Sequence, residues 1–222
     1  VRGLFVTGTG TGVGKTIVSA ALLAAMRVAG ESVRAYKPVV TGLDEPPGAW
    51  PPDHELLALA ADMTSVQVAP LRYGPAVSPH LAAALAGESI EPADLLVRAR
   101  EHPERTIVVE GVGGLLVPLT DGYSVRDLAV DLSLPLVVAA SPSLGTINRT
   151  LLTLEAARAA GLDVRAVVLT PWPHEPSTLE QSNRETIARL GRVDVHPLGE
   201  ILTADPDLLA RAGERLPWQS WL

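Results

Sequence analysis

Nine residues near the start, GTGTGVGKT from Gly8 to Thr16, put a glycine at every second position and end on Gly-Lys-Thr. Glycines at that density let successive backbone N–H groups turn toward one oxyanion, because no Cβ stands in the way. The strict phosphate-loop pattern, G-x-x-x-x-G-K-[ST], asks for glycine at position 9, where the chain has Thr9. The ending still carries the chemistry: the Lys15 ammonium reaches β- and γ-phosphate oxygens, and the Thr16 hydroxyl binds Mg2+. An ion attached to two or three phosphates needs a further protein ligand. TIVVEG supplies an acid, Glu110, after four consecutive strand formers and just before GVGG. Asp53, opening a helical pattern, reads equally as a plain N-cap or as a third acid aimed at the ion.

Of the eighteen basic residues, only Lys15 and Lys37 are lysine. A GC-rich coding bias accounts for the arginines and leaves the two lysines to be explained. A compact ammonium on a flexible stem, used as a point charge between phosphate oxygens, is not replaceable by a broad planar guanidinium. Both lysines are therefore read as functional. The histidines, His54 and His80 included, form no metal-ligand spacing. The chain has no cysteine, which excludes disulfides, thiolate metal sites and cysteine nucleophiles.

These groups must be carried by elements that bring them together. Short β-branched runs alternate with longer amphipathic segments, the pattern of a mostly parallel central sheet flanked by helices, an α/β fold with three Rossmann-like layers. Strands are predicted at 3–8, 32–37, 106–111, 134–141 and 164–170, most of them apolar on both faces as buried central strands are. Helices are predicted at 15–29, 53–61, 92–100, 124–132, 146–160 and 177–190, with Gly30 and Gly161 at C-cap positions. Strand, glycine loop and helix in that order are the context a phosphate loop requires. Parallel strands share one C-terminal edge, so Glu110 is expected beside the loop. TGLDEPPGAWPPD (41–53) and PLRYGPAVSPH (70–80) break the rhythm with Pro and Gly and read as surface loops, the first of them mobile. The tail after Ala204, ending LPWQSWL, reads as a last strand or as an extended segment packing two tryptophans.

A chain of 222 residues supports one core and a single domain, 1–222. Its hydrophobic content of 47% contains no apolar run near the ~18 residues that cross a bilayer. The start, VRGLFVTG, lacks the features of a secretory signal. A cytoplasmic chain without a membrane anchor is expected. The net charge of −7 argues against a nucleic-acid surface.

Five motifs in order, GTGTGVGKT, YKPVVTG, VSPHLAA, VEGVGGLLVPL and LGTINRTLLTLEAARAAG, cover residues 3 to 161. Together they resemble dethiobiotin synthetase, a phosphate-loop NTPase family acting at the penultimate step of biotin biosynthesis. That family's loop, typically GTDTxVGKT, has one residue more before GKT than the strict pattern, the spacing found here. The resemblance implies ATP- and Mg2+-dependent ring closure of 7,8-diaminononanoate with CO2 or bicarbonate as carbon source. One amine captures CO2 as a carbamate, the carbamate oxygen attacks the γ-phosphate, and the second amine displaces phosphate to give a cyclic urea. Positioning and charge neutralisation catalyse such a transfer, so no protein nucleophile is required.

By resemblance Lys37 is the active-site lysine, with Lys15 acting on the phosphate side. Gly12, Val13, Gly14, Lys15, Thr16 and Ile17 hold the nucleotide, and Gly111, Val112 and Gly113 turn backbone N–H groups toward it. Thr16, Asp53 and Glu110 are assigned to Mg2+, which favours the metal reading of Asp53. Thr11, Thr41 and Gly114 contact the substrate. Leu144, Gly145, Thr146, Ile147 and Asn148 receive its carboxylate at a subunit interface, where a helix N-terminus suits an anion; a homodimer follows. Gly10 stands where the family commonly has aspartate. Thr170-Pro171 stands where many members have an asparagine that reads adenine, which implies a relaxed or different nucleoside triphosphate preference. The rival classes fail on composition. A partitioning ATPase requires an extra lysine near Gly10, a regulatory GTPase the lysine of N-K-x-D, and an amidotransferase synthetase a cysteine.

Overall fold

In the computed structural model, which describes residues 1–46 and 48–222, the chain begins with β1 (Gly3–Gly8), every residue of which is buried. Its side chains alternate between two hydrophobic clusters: Leu4 and Val6 face one, Phe5 the other. The strand runs through the glycine loop into α1 (Lys15–Val28). That helix closes at Ala29, with Gly30 following at φ 87°, as expected of a glycine just past a helix end. β2 (Val33–Tyr36) returns to the sheet and continues into the short β3 (Val39–Val40).

The two stretches without periodicity are tied to each other. Beyond β3, Gly42, Leu43 and Asp44 donate backbone hydrogen bonds to Pro75, Tyr73 and Gly74. The described part of the 41–53 loop is thus tied down at its start; Pro47, within it, lies outside the described residues. After α2 (Asp53–Ala61) and the one-turn α3 (Ser65–Val68), β4 (Leu71–Arg72) pairs in parallel with β3. The predicted 70–80 loop ends early, because Pro79 opens α4 (Pro79–Ala86), a position where its missing N–H costs nothing. α5 (Pro92–Ala99) leads to β5 (Thr106–Glu110). A small hairpin, β6 (Pro118–Thr120) and β7 (Tyr123–Ser124), follows.

The second half repeats strand and helix. α6 (Val125–Leu132) starts from a Ser124–Asp127 capping box, then come β8 (Leu136–Ala140), α7 (Thr146–Ala159), β9 (Val164–Trp172) and α8 (Thr178–Gly191). A sixth strand, β10 (Asp194–Gly199), was not expected from the sequence. The tail is neither strand nor extended segment but α9 (Pro206–Gly213) and a 3-10 turn at Trp218–Ser220. The two tryptophans do pack as anticipated: Trp218 and Trp221 are both buried.

All six long strands pair in parallel, in the order β10-β9-β8-β1-β5-β2. Side chains of α1, α2 and α9 fill one face, those of α5, α6, α7 and α8 the other, which gives the three layers. α9 lies close on α1 because a Cβ at Gly213 would overlap the Ala21 carbonyl. In the register of the two central strands Val6 lies opposite Glu110. The acid therefore ends β5 on the same edge from which the glycine loop leaves β1.

Candidate active site

The loop is shaped by its glycines at specific points. Gly14 sits at φ 85° as the residue before α1 and has no side chain to cap the helix. The helix starts with its first N–H groups unpartnered within the helix, and the positive end of its dipole faces the loop. A Cβ at Gly14 would overlap Thr170 Cγ2 near the end of β9, so the loop is clamped from β9, the strand next but one to β1, as well as turned. Gly12 also has positive φ. At Gly10 a Cβ would meet nothing within 4 Å.

Beneath the loop stands a cluster of two ammonium groups and two carboxylates. Lys37 is 2% exposed and Glu110 1%. Lys37 Nζ donates to Glu110 Oε1 at 2.5 Å and to Asp53 Oδ2 at 2.6 Å. Thr16 Oγ1 donates to the same Glu110 oxygen at 2.9 Å. Lys15 Nζ folds back onto the Gly10 carbonyl at 2.9 Å. The two lysines respond in opposite ways to their surroundings. Burial drives the Lys37 pKa down, but the charges and hydrogen bonds of Glu110 and Asp53 outweigh it and the net shift is upward. Lys15 goes down, because burial dominates and Lys37 repels it, with only partial relief from Glu110. Burial works to raise the Asp53 pKa, yet Lys37 beside it leaves that carboxyl below its ordinary value.

Above the cluster opens a cleft of about 700 Å3. The predicted residues Thr11, Gly12, Gly14, Lys15, Thr16 and Ile17 line it from the loop side. Lys37 after β2, Thr41 after β3, Asp53 at the start of α2, and Val112 and Gly113 after β5 line it from the other elements. Glu110 enters through its bonds to Lys37 and Thr16. Asp53 is the first residue of α2, with Pro52 in the cap position, so the N-cap reading fails and the acid joins the cluster. Val13 points into the core. A Cβ at Gly111 would overlap Val125, whereas at Gly114 it would make ordinary contact with the backbone of Gly8 and Gly10.

Two predicted groups lie outside the cleft. Thr170 is buried against the loop through its methyl group, and Pro171 follows it on the surface. None of Leu144 to Asn148 lines the cleft. They form the start of α7, where Gly145 takes φ 85°, Leu144 is 80% exposed and Asn148 is exposed, while Thr146 is buried against Thr150. The sequence reading missed part of the wall: Val40, Trp50, Pro51, Leu56 and the Ala76–Pro79 stretch. For the last of these VSPH was the available signal; His80 itself keeps a buried Nδ1 without a partner and does not line the cleft.

Thr16, Asp53 and Glu110 offer hard oxygen donors suited to Mg2+. Glu110 Oε2 is buried with no hydrogen-bond partner, an arrangement that costs stability unless a cation or donor meets it. Among the described residues no cluster of three or more His, Cys, Asp or Glu could hold a metal alone. Two carboxylates and a hydroxyl would share such an ion with phosphate oxygens, the usual habit of Mg2+. With two ammonium groups against two carboxylates the cluster is near neutral, so a triphosphate entering it brings charge that a divalent ion would offset.

The AAA domain family model matches residues 2–204. The ATP-dependent dethiobiotin synthetase BioD of Mycobacterium sp. (strain KMS) is 41% identical over 194 residues, covering 86% of this chain and 84% of that protein. The protein of the same name from Anaeromyxobacter dehalogenans (strain 2CP-1 / ATCC BAA-258) is 42% identical over 216 residues, covering 96% and 94%. The chain belongs to the dethiobiotin synthetase family. Its fold is also similar to that of a ParA family ATPase from Chlorobium tepidum TLS, with a TM-score of 0.53 and 13% identity over 99% of this chain and 94% of that one. Within the dethiobiotin synthetase family the open space at Gly10 is informative. Gly12 and Gly14 supply the positive-φ turns of the loop, and position 10 has room for a side chain.

Proposed function

We propose that the chain closes 7,8-diaminononanoate and CO2 into the cyclic urea of dethiobiotin while splitting ATP to ADP and phosphate. The observation that supports this most is the Lys37 ammonium, buried in the cleft wall between Asp53 and Glu110. With its pKa raised by those two acids, Lys37 is charged at neutral pH and is not a base. It serves as a fixed positive charge. Negative charge gathers on the carbamate and on the transferring phosphoryl group as they meet, and a preorganised ammonium in a water-poor wall stabilises it without reorganising.

Lys15 is the phosphate-side partner. Burial lowers its pKa despite the partial relief from Glu110, and bound phosphates would supply further negative charge. The N–H groups from Gly12 to Ile17 hold the phosphate oxygens, and those of the Gly111–Gly114 turn approach from the opposite side. Thr11 and Thr41 offer hydroxyls that orient the diamine so that the carbamate oxygen meets the γ-phosphate in line. Thr16, Asp53 and Glu110 would hold Mg2+, which when bound neutralises phosphate charge. No step requires a protein nucleophile.

We further propose a homodimer in which the start of α7, Leu144 to Asn148, receives the substrate carboxylate of a second copy's site. The exposed Leu144 and the positive end of the helix, which has no side-chain cap, support this reading. Base preference is proposed to be relaxed, because the Thr170 methyl serves the loop and Pro171 offers no donor. Comparable turnover with several nucleoside triphosphates is expected; strict ATP dependence would sink that part.

The test of the main proposal is incubation with diaminononanoate, bicarbonate, Mg2+ and ATP. Dethiobiotin and phosphate are expected together, both dependent on the diamine. Phosphate release without the diamine, or no cyclic urea with it, contradicts the reading.

A further inference from the structure

The cleft is polar at its floor and apolar along one side. Lys37, Asp53 and Thr16 mark the floor, whereas Val40, Trp50, Leu56 and Val77 make a hydrophobic wall. Val40 and Leu56 are buried core residues whose positions the fold dictates. Trp50 is different, since it comes from an irregular loop and no packing periodicity demanded it. Its indole is half-buried and packs against the cluster that holds α1 and α2. Both sides of its loop are fixed. Gly42 to Asp44 are hydrogen-bonded to the 73–75 stretch, and Pro51-Pro52 lead directly into Asp53, the first residue of α2. Trp50 therefore stands three residues before an acid of the cluster, held on the β2 side of the cleft. Thr170 clamps the loop from β9, on the other side of β1 in the sheet order. A nucleoside extending toward β9 would leave the Trp50 wall to the second substrate.

We propose that Trp50 is a specificity-determining residue. Its indole forms the apolar wall on which the alkyl chain of the diamine packs, so the site selects a diamine carrying a hydrocarbon chain. This rests on the proposed diamine substrate. Each methylene laid on an apolar wall favours binding, and an indole offers a large rigid face for several of them.

The test compares wild type with Trp50→Ala, Trp50→Gln and Trp50→Phe, reading the KM for diaminononanoate and for ATP separately. Trp50→Ala and Trp50→Gln should raise the KM for the diamine about tenfold, with the KM for ATP moving less than twofold, and Trp50→Phe should restore most of the loss. Trp50→Gln keeps a longer side chain at the position while replacing the apolar face with a polar amide, so the comparison stands if the alanine variant is poorly folded. Calorimetric binding of the diamine without ATP gives a second readout and should show the same order. An unchanged diamine KM in the glutamine variant, or equal increases for diamine and ATP, overturns the assignment while leaving the reaction in place. If wild type forms no cyclic urea, the reaction reading fails first and this assignment falls with it.

Discussion

Two helices in this molecule begin in the same way and end up in opposite surroundings. α1 and α7 are each 14 residues long, follow a glycine at φ 85°, lack a side-chain cap and carry no acid in the first turn. Each therefore presents free N–H groups and a positive dipole end to whatever lies in front. In front of α1 lie a buried charge cluster and a cleft; in front of α7 lies solvent, with Leu144 80% exposed. The local geometry of an anion site is thus present twice, but only one copy is enclosed by the chain itself. What distinguishes them is what the rest of the fold delivers: β2 and β5 bring Lys37 and Glu110 to α1, whereas the start of α7 stands outside the cleft.

That contrast can be broken most severely at the two glycines. Gly14→Ala forces an L-residue to positive φ, costing about 1–2 kcal/mol, and also drives a methyl into Thr170. ATP affinity should fall at least about 100-fold, the scale of losing oriented backbone donors, as measured by calorimetric titration. Gly145→Ala carries the same φ strain but meets only the Arg149 guanidinium, at 3.9 Å. It should leave ATP affinity intact and weaken only diamine binding. Equal losses in the two variants would erase the distinction.

Glu110→Gln tests the enclosed site next. The amide keeps the shape but removes the charge that holds Lys37 up, so burial should then lower the Lys37 pKa. Turnover should fall about 100-fold, and the alkaline limb of the pH–rate profile should move to lower pH. An unshifted limb would mean that Glu110 does not set the lysine's charge.

Leu144→Glu tests the open site. A carboxylate placed there repels the substrate's own and disfavours burial against a second copy, so diamine KM should rise about tenfold, the effect of roughly 1.4 kcal/mol. The apparent mass in light scattering should shift toward monomer with ATP binding unchanged. A smaller effect is expected from Asp53→Asn on acid stability. Because the folded Asp53 pKa is depressed, its stabilisation is present above the ordinary carboxyl value near ~4 and is lost as pH falls through the folded value. The contribution should be about 1 kcal/mol or less, since the carboxylate is 49% exposed and screened. Melting curves from pH 7 to 3 should show a shallower acid decline in the variant.

The enclosed site was legible in the sequence because its groups sit at strand ends, and strands of uniform apolar character announce themselves. Glu110 follows four β formers, and the parallel arrangement alone puts it beside the loop. Asp53 was ambiguous on sequence because an acid opening a helix is a normal cap; only the fold, with Pro52 in the cap position and Lys37 within 2.6 Å, removes the ambiguity. The edge strand β10 was hidden because His196 and Pro197 interrupt its apolar pattern. An edge strand tolerates proline, which a central strand does not. The terminal helix α9 was not read although its eight residues are amphipathic; its hold on α1 depends on a close approach at Gly213 that pattern does not encode. Trp50 and the Ala76–Pro79 wall came from stretches read as loops, and loops take their shape from what they touch.

The central claim is that Lys37 is a fixed ammonium, irreplaceable in shape as well as charge, at which carbamate and γ-phosphate meet. The direct measurement is coupled turnover of wild type and Lys37→Arg at saturating diamine, bicarbonate and Mg·ATP, with phosphate and cyclic urea counted together. Wild type should release one phosphate per dethiobiotin formed, and the arginine variant, folded by its melting curve and still binding ATP, should turn over at least about 100-fold more slowly. Near-normal turnover by Lys37→Arg would contradict the claim.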